Sequence, residues 1–95
     1  MTRIIVSKLI WDVWNIGHIK KHNVTQDEVE ELAKNMLVHQ KVKQRRFAII
    51  GRVGLRILTV IVNRKDTGIY YPVTARDAAK KERMKIYAKE KIKIS

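Results

Sequence analysis

The chain is 95 residues long, 45% hydrophobic, without cysteine, and carries 21 Lys+Arg against 9 Asp+Glu for a net charge of +12. At this length a single domain with one core is expected. The lack of cysteine excludes disulfides and thiolate metal sites, and no apolar run approaches the roughly 18 residues needed to span a bilayer.

Residues 3–11 mix apolar and basic side chains and read as a strand. Asp12 is placed to cap a helix running to about His22. On it Val13, Ile16 and Ile19 share one face, and Trp14, His18, Lys21 and His22 fall on the other. Trp11 and Trp14 are expected to anchor this helix. Asn23 suits its end, because asparagine tolerates the left-handed conformation almost as well as glycine.

The next helix has the clearest start. Thr25-Gln26-Asp27-Glu28 is a capping box, with Val24 and Val29 spaced as a hydrophobic staple around it. Val29, Leu32, Ala33, Met36 and Leu37 then trace an apolar stripe at helical spacing. Acids in the first turn complement the helix dipole, so this acidic cluster has a structural explanation.

From His39 onward the pattern turns to strands. Lys41-Val42-Lys43 is a short edge piece, and Phe47 to Gly51 alternate in a strand that ends near 51–54. Residues 55–62 are apolar on both faces apart from Arg56 and Thr59, as a central strand covered on both sides would be. Asp66-Thr67-Gly68 turns the chain into a strand over 69–73, where Pro72 demands an edge or a bulge. Thr74 then reads as the cap of a last helix over about 75–91, with Asp77 at its third position. Ala75, Ala78 and Ala79 would let that helix lie close to the sheet. The expected class is α+β: a small antiparallel sheet with two N-terminal helices and one C-terminal helix. A single domain over 1–95 is expected, with 92–95 a basic, frayed tail.

The charge is unevenly spread. Asp27, Glu28, Glu30 and Glu31 lie together, while residues 41–56 hold six bases and no acid, and 80–95 hold seven bases against Glu82 and Glu90. A surface made only for solubility would intersperse the signs, so a polyanionic partner is expected, RNA first among them. The opening residues reach Lys8 too soon for a signal peptide, and a cytoplasmic location without membrane contact is expected.

Several chemistries fall away. Gly51-Arg52-Val53-Gly54 lacks the Lys-Ser/Thr of a phosphate loop, and with only Ser7 and Ser95 a serine triad is improbable. His18 and His22 form an i, i+4 pair with no Glu between them and no evident third ligand, so neither a metal site nor a cofactor is expected. What remains is equipment for phosphates. A metal-free ribonuclease must orient a 2′-hydroxyl, neutralise charge on the phosphorane and protonate the leaving oxygen. Arginine suits the charge and histidine the proton. Lys21 and His22 end the first helix, Arg64 enters a turn, Arg76 opens the last helix, and Tyr70 and Tyr71 can stack on bases. By alternation Tyr70, Thr74 and Arg76 would share one side of their strand.

Three blocks of residues carry a family resemblance over roughly residues 10–87. They are Trp11-Asp12 with Lys21-His22-Asn23-Val24-Thr25; Arg46-Phe47-Ala48-Ile49-Ile50-Gly51-Arg52 with Gly54-Leu55-Arg56-Ile57-Leu58-Thr59-Val60; and Val73-Thr74-Ala75-Arg76-Asp77-Ala78 with Lys81-Glu82-Arg83 and Tyr87. In these the chain resembles the BrnT-like toxins of bacterial type II toxin–antitoxin systems. The resemblance implies a RelE-like fold, a ribonuclease that stops translation by cutting RNA, and a BrnA-like ribbon-helix-helix antitoxin as partner. Carried over by position, it implies catalytic roles for His22, Arg64, Arg76 and Glu82. RNA contacts are expected from Lys21, Arg46, Arg52, Arg56, Tyr71, Lys81 and Arg83. The chain departs from the family at Asn23, where the pattern has glycine, and at His18, where it has asparagine. A non-catalytic basic nucleic-acid-binding module is the alternative reading.

Overall fold

The computed structural model describes residues 4–94. Its elements are β1 (Lys8–Leu9), α1 (Val13–Lys20), α2 (Gln26–Lys34), β2 (Val38–Lys43), β3 (Arg46–Val53), β4 (Arg56–Asp66), β5 (Ile69–Asp77) and α3 (Lys80–Ile94). The strands form one sheet in the order β1-β5-β4-β3-β2. From β2 to β5 it is an antiparallel meander, while β1 joins β5 in parallel. The class is α+β with a mixed sheet, which corrects the purely antiparallel expectation. β1 is also far shorter than the expected strand over 3–11, of which Arg3 lies outside the described residues. The Ser7 and Lys8 amides both donate to Gly68 O (2.8 and 3.0 Å), and Ile10 N donates to Tyr70 O (2.9 Å). Asp12 then starts a helix, so the ladder cannot lengthen.

Asp12 caps α1 reciprocally with Asn15: each backbone amide donates to the other's side chain at 2.9 Å. Asn15 Nδ2 also donates to Ile10 O (2.8 Å). These bonds turn Asn15 and Ile19 inward, an i, i+4 pair, and they are the buried residues of the helix. The expected apolar face is corrected accordingly, since Val13 is 82% exposed and Ile16 is exposed as well. Trp14 is also exposed and anchors nothing; Trp11 packs on the core and donates from Nε1 to Glu30 Oε2 (2.7 Å). The chain leaves α1 through Asn23 at φ 59°, the left-handed cap the sequence calls for.

Thr25 and Glu28 form the expected capping box of α2, and the staple residues Val24 and Val29 are both buried. The helix stops at Lys34, short of Met36 and Leu37. Both still pack inward, Met36 on the larger core cluster and Leu37 on the smaller. Gly51 permits this exit: a Cβ there would meet Met36 Cα at 3.3 Å and Asn35 O at 3.4 Å. Leu37 N donates to Ile50 O (3.0 Å) and the chain enters β2.

β4 is the central strand, covered on both faces as expected. Leu58, Val60 and Val62 join Ile49, Val29, Leu32 and Ile19 under α1 and α2. On the opposite face Ile57 joins Ile50, Ala78 and Ile86 of α3. Leu55 belongs to the hairpin turn instead, almost fully exposed beside Gly54 at φ 61°.

The largest correction concerns residues 74–77. They continue β5, so Thr74 caps no helix and Arg76 sits on a strand. Ala75 pairs with Val60 and is buried in the core; a helix starting there would forfeit that ladder. The helix-starting role passes to Glu82, whose Oε1 accepts the Ala79 amide at 2.7 Å. α3 then continues to Ile94, so the expected frayed tail is helical up to Ser95, which lies outside the described residues. Pro72 is accommodated by a bulge, as one of its two alternatives required: Ile61 pairs with Thr74 but Val62 with Pro72, leaving one extra residue on β5. A bulge inverts the alternation beyond it. Tyr70 therefore faces the α1/α2 core while Thr74 and Arg76 face the α3 side, contrary to the shared side expected. No helix among the described residues is long and apolar enough to cross a membrane.

Candidate nucleic-acid interface

The sheet brings the expected site residues to two separate ends. At the end where β4 begins and β5 finishes, Arg76 projects from β5 on the α3 face. Its guanidinium donates two bonds to Glu82, Nη1 to Oε1 (2.7 Å) and Nη2 to Oε2 (3.0 Å). Nη1 also reaches Asp77 O at 3.2 Å. Glu82 Oε1 further accepts the hydroxyl of Thr59 (2.9 Å) and the Ala79 amide. The Arg76 guanidinium, with the Ala79 and Thr59 donors, holds the Glu82 carboxyl at a pKa of about 2 against its burial. Glu82 is thus an anion at neutral pH with its lone pairs committed, which unfits it for moving protons. It orients Arg76 instead, whose side chain keeps 42% exposure. An aimed, partly open arginine fork can receive a phosphate oxygen.

Three other arginines at this end are already occupied. Arg56 donates to Asn23 O (2.8 Å), Glu28 Oε2 (3.0 Å) and Asp77 Oδ1 (3.1 Å), fastening the α1 exit, α2 and β5 together. Arg52 grips Glu90 through Nε and Nη2 (2.7 and 2.9 Å), tying β3 to α3. Arg83 Nη1 donates to Ala78 O (2.7 Å). Arg52 and Arg56, both expected to touch RNA, spend their charge on the fold. Lys81 is exposed in the first turn of α3.

Lys21 is the C-cap of α1 and His22 follows it, both exposed. Their neighbour Asn23 is bonded by Arg56, which places them at the same end as Arg76 but toward the α1/α2 face. The His18 and His22 rings lie 5.7 Å apart, and among the described residues no third His, Asp or Glu joins them in a cluster able to hold a metal.

Arg64 lies elsewhere. Arg76 pairs with Thr59 and Arg64 with Tyr70, so five residues of β4, about 17 Å at the strand rise, separate them. Odd spacing also puts them on opposite faces. The register therefore does not bring together these two arginines, both expected to be catalytic. Arg46 pairs with Asn63 at Arg64's end. Tyr71 is there too, its hydroxyl donating to Asp12 Oδ2 (2.9 Å). Burial and that carboxylate raise the phenol's pKa, so it stays neutral.

Arg64 opens onto a groove of about 910 Å³ on the α1/α2 side of the sheet, shared with Lys41, Arg45, Lys65, His39 and Phe47. Of these only Arg64 was singled out from sequence. The acid-free run over 41–56 was the available signal, but without the register its members could not be assigned to one wall.

Compared with family models, curated proteins and solved structures, the chain matches none of them.

Proposed function

We propose that this protein is a BrnT-like toxin of a type II toxin–antitoxin system, with a RelE-like fold, acting in the cytoplasm as a metal-independent endoribonuclease that cuts RNA and inhibits translation. The observation that carries the reading is the Arg76–Glu82 pair. An arginine fixed bidentately by a buried-side carboxylate, yet open to solvent, is preorganised to meet charge developing on a phosphorane. The three motif blocks support it, and Arg76, Glu82 and Arg83 come from the most specific of them. In this reading Arg76 holds the scissile phosphate, Glu82 positions Arg76, and His22, exposed at the same end of the sheet but toward its other face, reaches round that end to move the proton. Lys21 and Lys81 supply further charge to the RNA, and a BrnA-like ribbon-helix-helix antitoxin neutralises the protein.

Induced expression tests this reading. Growth arrest with loss of translation is expected from the wild type, relief from the Arg76→Ala variant, and relief on co-expressing an adjacent ribbon-helix-helix partner. Unimpaired growth with intact cellular RNA would overturn it.

A second reading, a non-catalytic nucleic-acid-binding module, is favoured by one observation: Arg64 and Arg76 stand on opposite faces, so the expected arginines do not assemble into one reaction centre. It predicts salt-sensitive binding without cleavage.

A further inference from the structure

The described residues contain four ion-paired side-chain contacts, and they engage Arg52, Arg56 and Arg76. All three arginines lie toward the sheet end where β4 begins. At the opposite end cations are in excess: Lys41, Arg45, Arg64 and Lys65 line the groove, and none is in an ion pair among the described residues, although Lys65 Nζ lies 5.7 Å from the centre of the Tyr71 ring and Arg64 Nη2 donates to Thr67 Oγ1 at 3.4 Å. Among the described lining residues Asp66 is the one acid, against four cations, and its Oδ1 accepts the Thr67 amide at 2.7 Å. Such crowding of like charge raises the free energy of the folded chain unless an anion answers it.

The shape of the site narrows the choice of anion. Lys41 pairs with Phe47, and Phe47 with Val62, so these three stand in a row across β2, β3 and β4 on the α1/α2 face. Arg64 is two residues beyond Val62 on that same face. Lys41 and Arg64 therefore flank the half-buried Phe47 from strands roughly 9.6 Å apart. Arg64 N donates to Arg45 O at 2.8 Å, which brings the Arg45 backbone to the Arg64 side. Phe47 is braced by an edge contact with Tyr70, their centroids 6.2 Å apart. The cleft is thus an aromatic floor between two cationic rims. A duplex is read by a protruding helix or ribbon, whereas a recessed basic channel with an aromatic platform suits a single strand whose bases unstack.

We propose that this groove is a binding site for single-stranded polynucleotide. Lys41, Arg45, Arg64 and Lys65 take the phosphodiester backbone, and a base rests on Phe47 beside His39. The site is separate from Arg76 and does not depend on cleavage. The proposed function guides only the choice of polyanion.

Fluorescence anisotropy with a labelled oligonucleotide of about 12 nucleotides tests it. A 2′-O-methyl RNA, which no 2′-hydroxyl mechanism can cut, serves as one arm and DNA of the same sequence as another. The double variant Arg45→Gln/Arg64→Gln replaces two exposed charges and is expected to fold. It should weaken both single strands by about tenfold or more at about 0.1 M salt, and flatten the slope of log K against log salt by roughly 1.4. Arg52→Gln, whose arginine is already paired, should change affinity by less than about twofold. Equal loss in both arms assigns the contacts to phosphate, and greater loss in the RNA arm adds a ribose contact. Unchanged affinity and slope in the double variant would overturn the proposal, as would a poly-glutamate peptide binding more tightly than either strand. Cleavage is scored separately: an RNA-cutting protein with an unaltered groove variant refutes this site alone, and a binding defect without any cleavage refutes the nuclease alone.

Discussion

Arg76 and Glu82 meet in a two-bond ion pair, 2.7 and 3.0 Å, across the corner where β5 gives way to α3. The corner needs this carboxylate for three separate reasons: it fixes the arginine, satisfies the wholly buried Thr59 hydroxyl and receives the Ala79 amide at the helix start.

Glu82→Ala should therefore cost more than an ordinary surface pair. The orphaned Thr59 hydroxyl and the lost helix-start acceptor together predict destabilisation of about 2 kcal/mol. The midpoint of urea unfolding measures it. A shift no larger than that of Lys81→Ala would show that Glu82 holds nothing together.

The same contact sets an acid limit. Glu82 titrates at about 2 when folded, below the ordinary glutamate value of 4.5. A lowered folded pKa adds stability that is full above 4.5 and disappears as the pH falls toward 2. Asp12, lowered mainly by the Asn15 amide, and Glu90, lowered by Arg52, push the same way. Stability should fall between pH 4.5 and 2, and the wild-type minus Glu82→Gln difference should shrink across that window. A difference independent of pH would mean that the carboxylate is not ionised by its partners.

Arg56 separates fold from function. Because its guanidinium bonds Asn23, Glu28 and Asp77, Arg56→Ala should destabilise by about 1–2 kcal/mol, the partly exposed ion pairs contributing little of this. RNA affinity should change by less than about twofold in protein confirmed to be folded. A large affinity loss at unchanged thermal midpoint would return Arg56 to the interface.

Asn23 tests the backbone at the α1 exit. Its φ of 59° lies in the left-handed region, where a Cβ-branched side chain is strained. Asn23→Gly should be neutral within a few tenths of a kcal/mol and Asn23→Val should cost about 1–2 kcal/mol. Calorimetry of the two variants compares them directly, and equal stability would contradict the assignment.

Much of this architecture is legible in the sequence where the signal is local. The capping box at Thr25, the staple Val24/Val29, the left-handed Asn23 and the two-faced apolar run of β4 all depend on neighbours a few residues apart. What was not legible depended on partners far away in the chain. Thr74-Ala75-Arg76-Asp77 has the local grammar of a helix start, yet the length of β4 supplies a ladder that holds it extended. Val13 and Ile16 share a face with Ile19, but the Asn15 side chain, bonded to Asp12 and Ile10, turns that face away from the core. For the site, the bulge near Pro72 decided the outcome: it puts Tyr70 and Arg76 on opposite faces. Register then separates Arg64 from Arg76, and it gathers Lys41, Arg45 and Lys65 around Arg64 from segments that only the sheet brings together.

The most direct test of the central claim is incubation of purified protein with single-stranded RNA in excess EDTA, with products resolved on a denaturing gel. Discrete cleavage by the wild type is expected. Loss of about a hundredfold or more is expected in the Arg76→Ala variant, and no rescue by Arg76→Lys, since lysine lacks the planar fork. Intact RNA at equimolar protein, or equal cutting by wild type and Arg76→Ala, would contradict it.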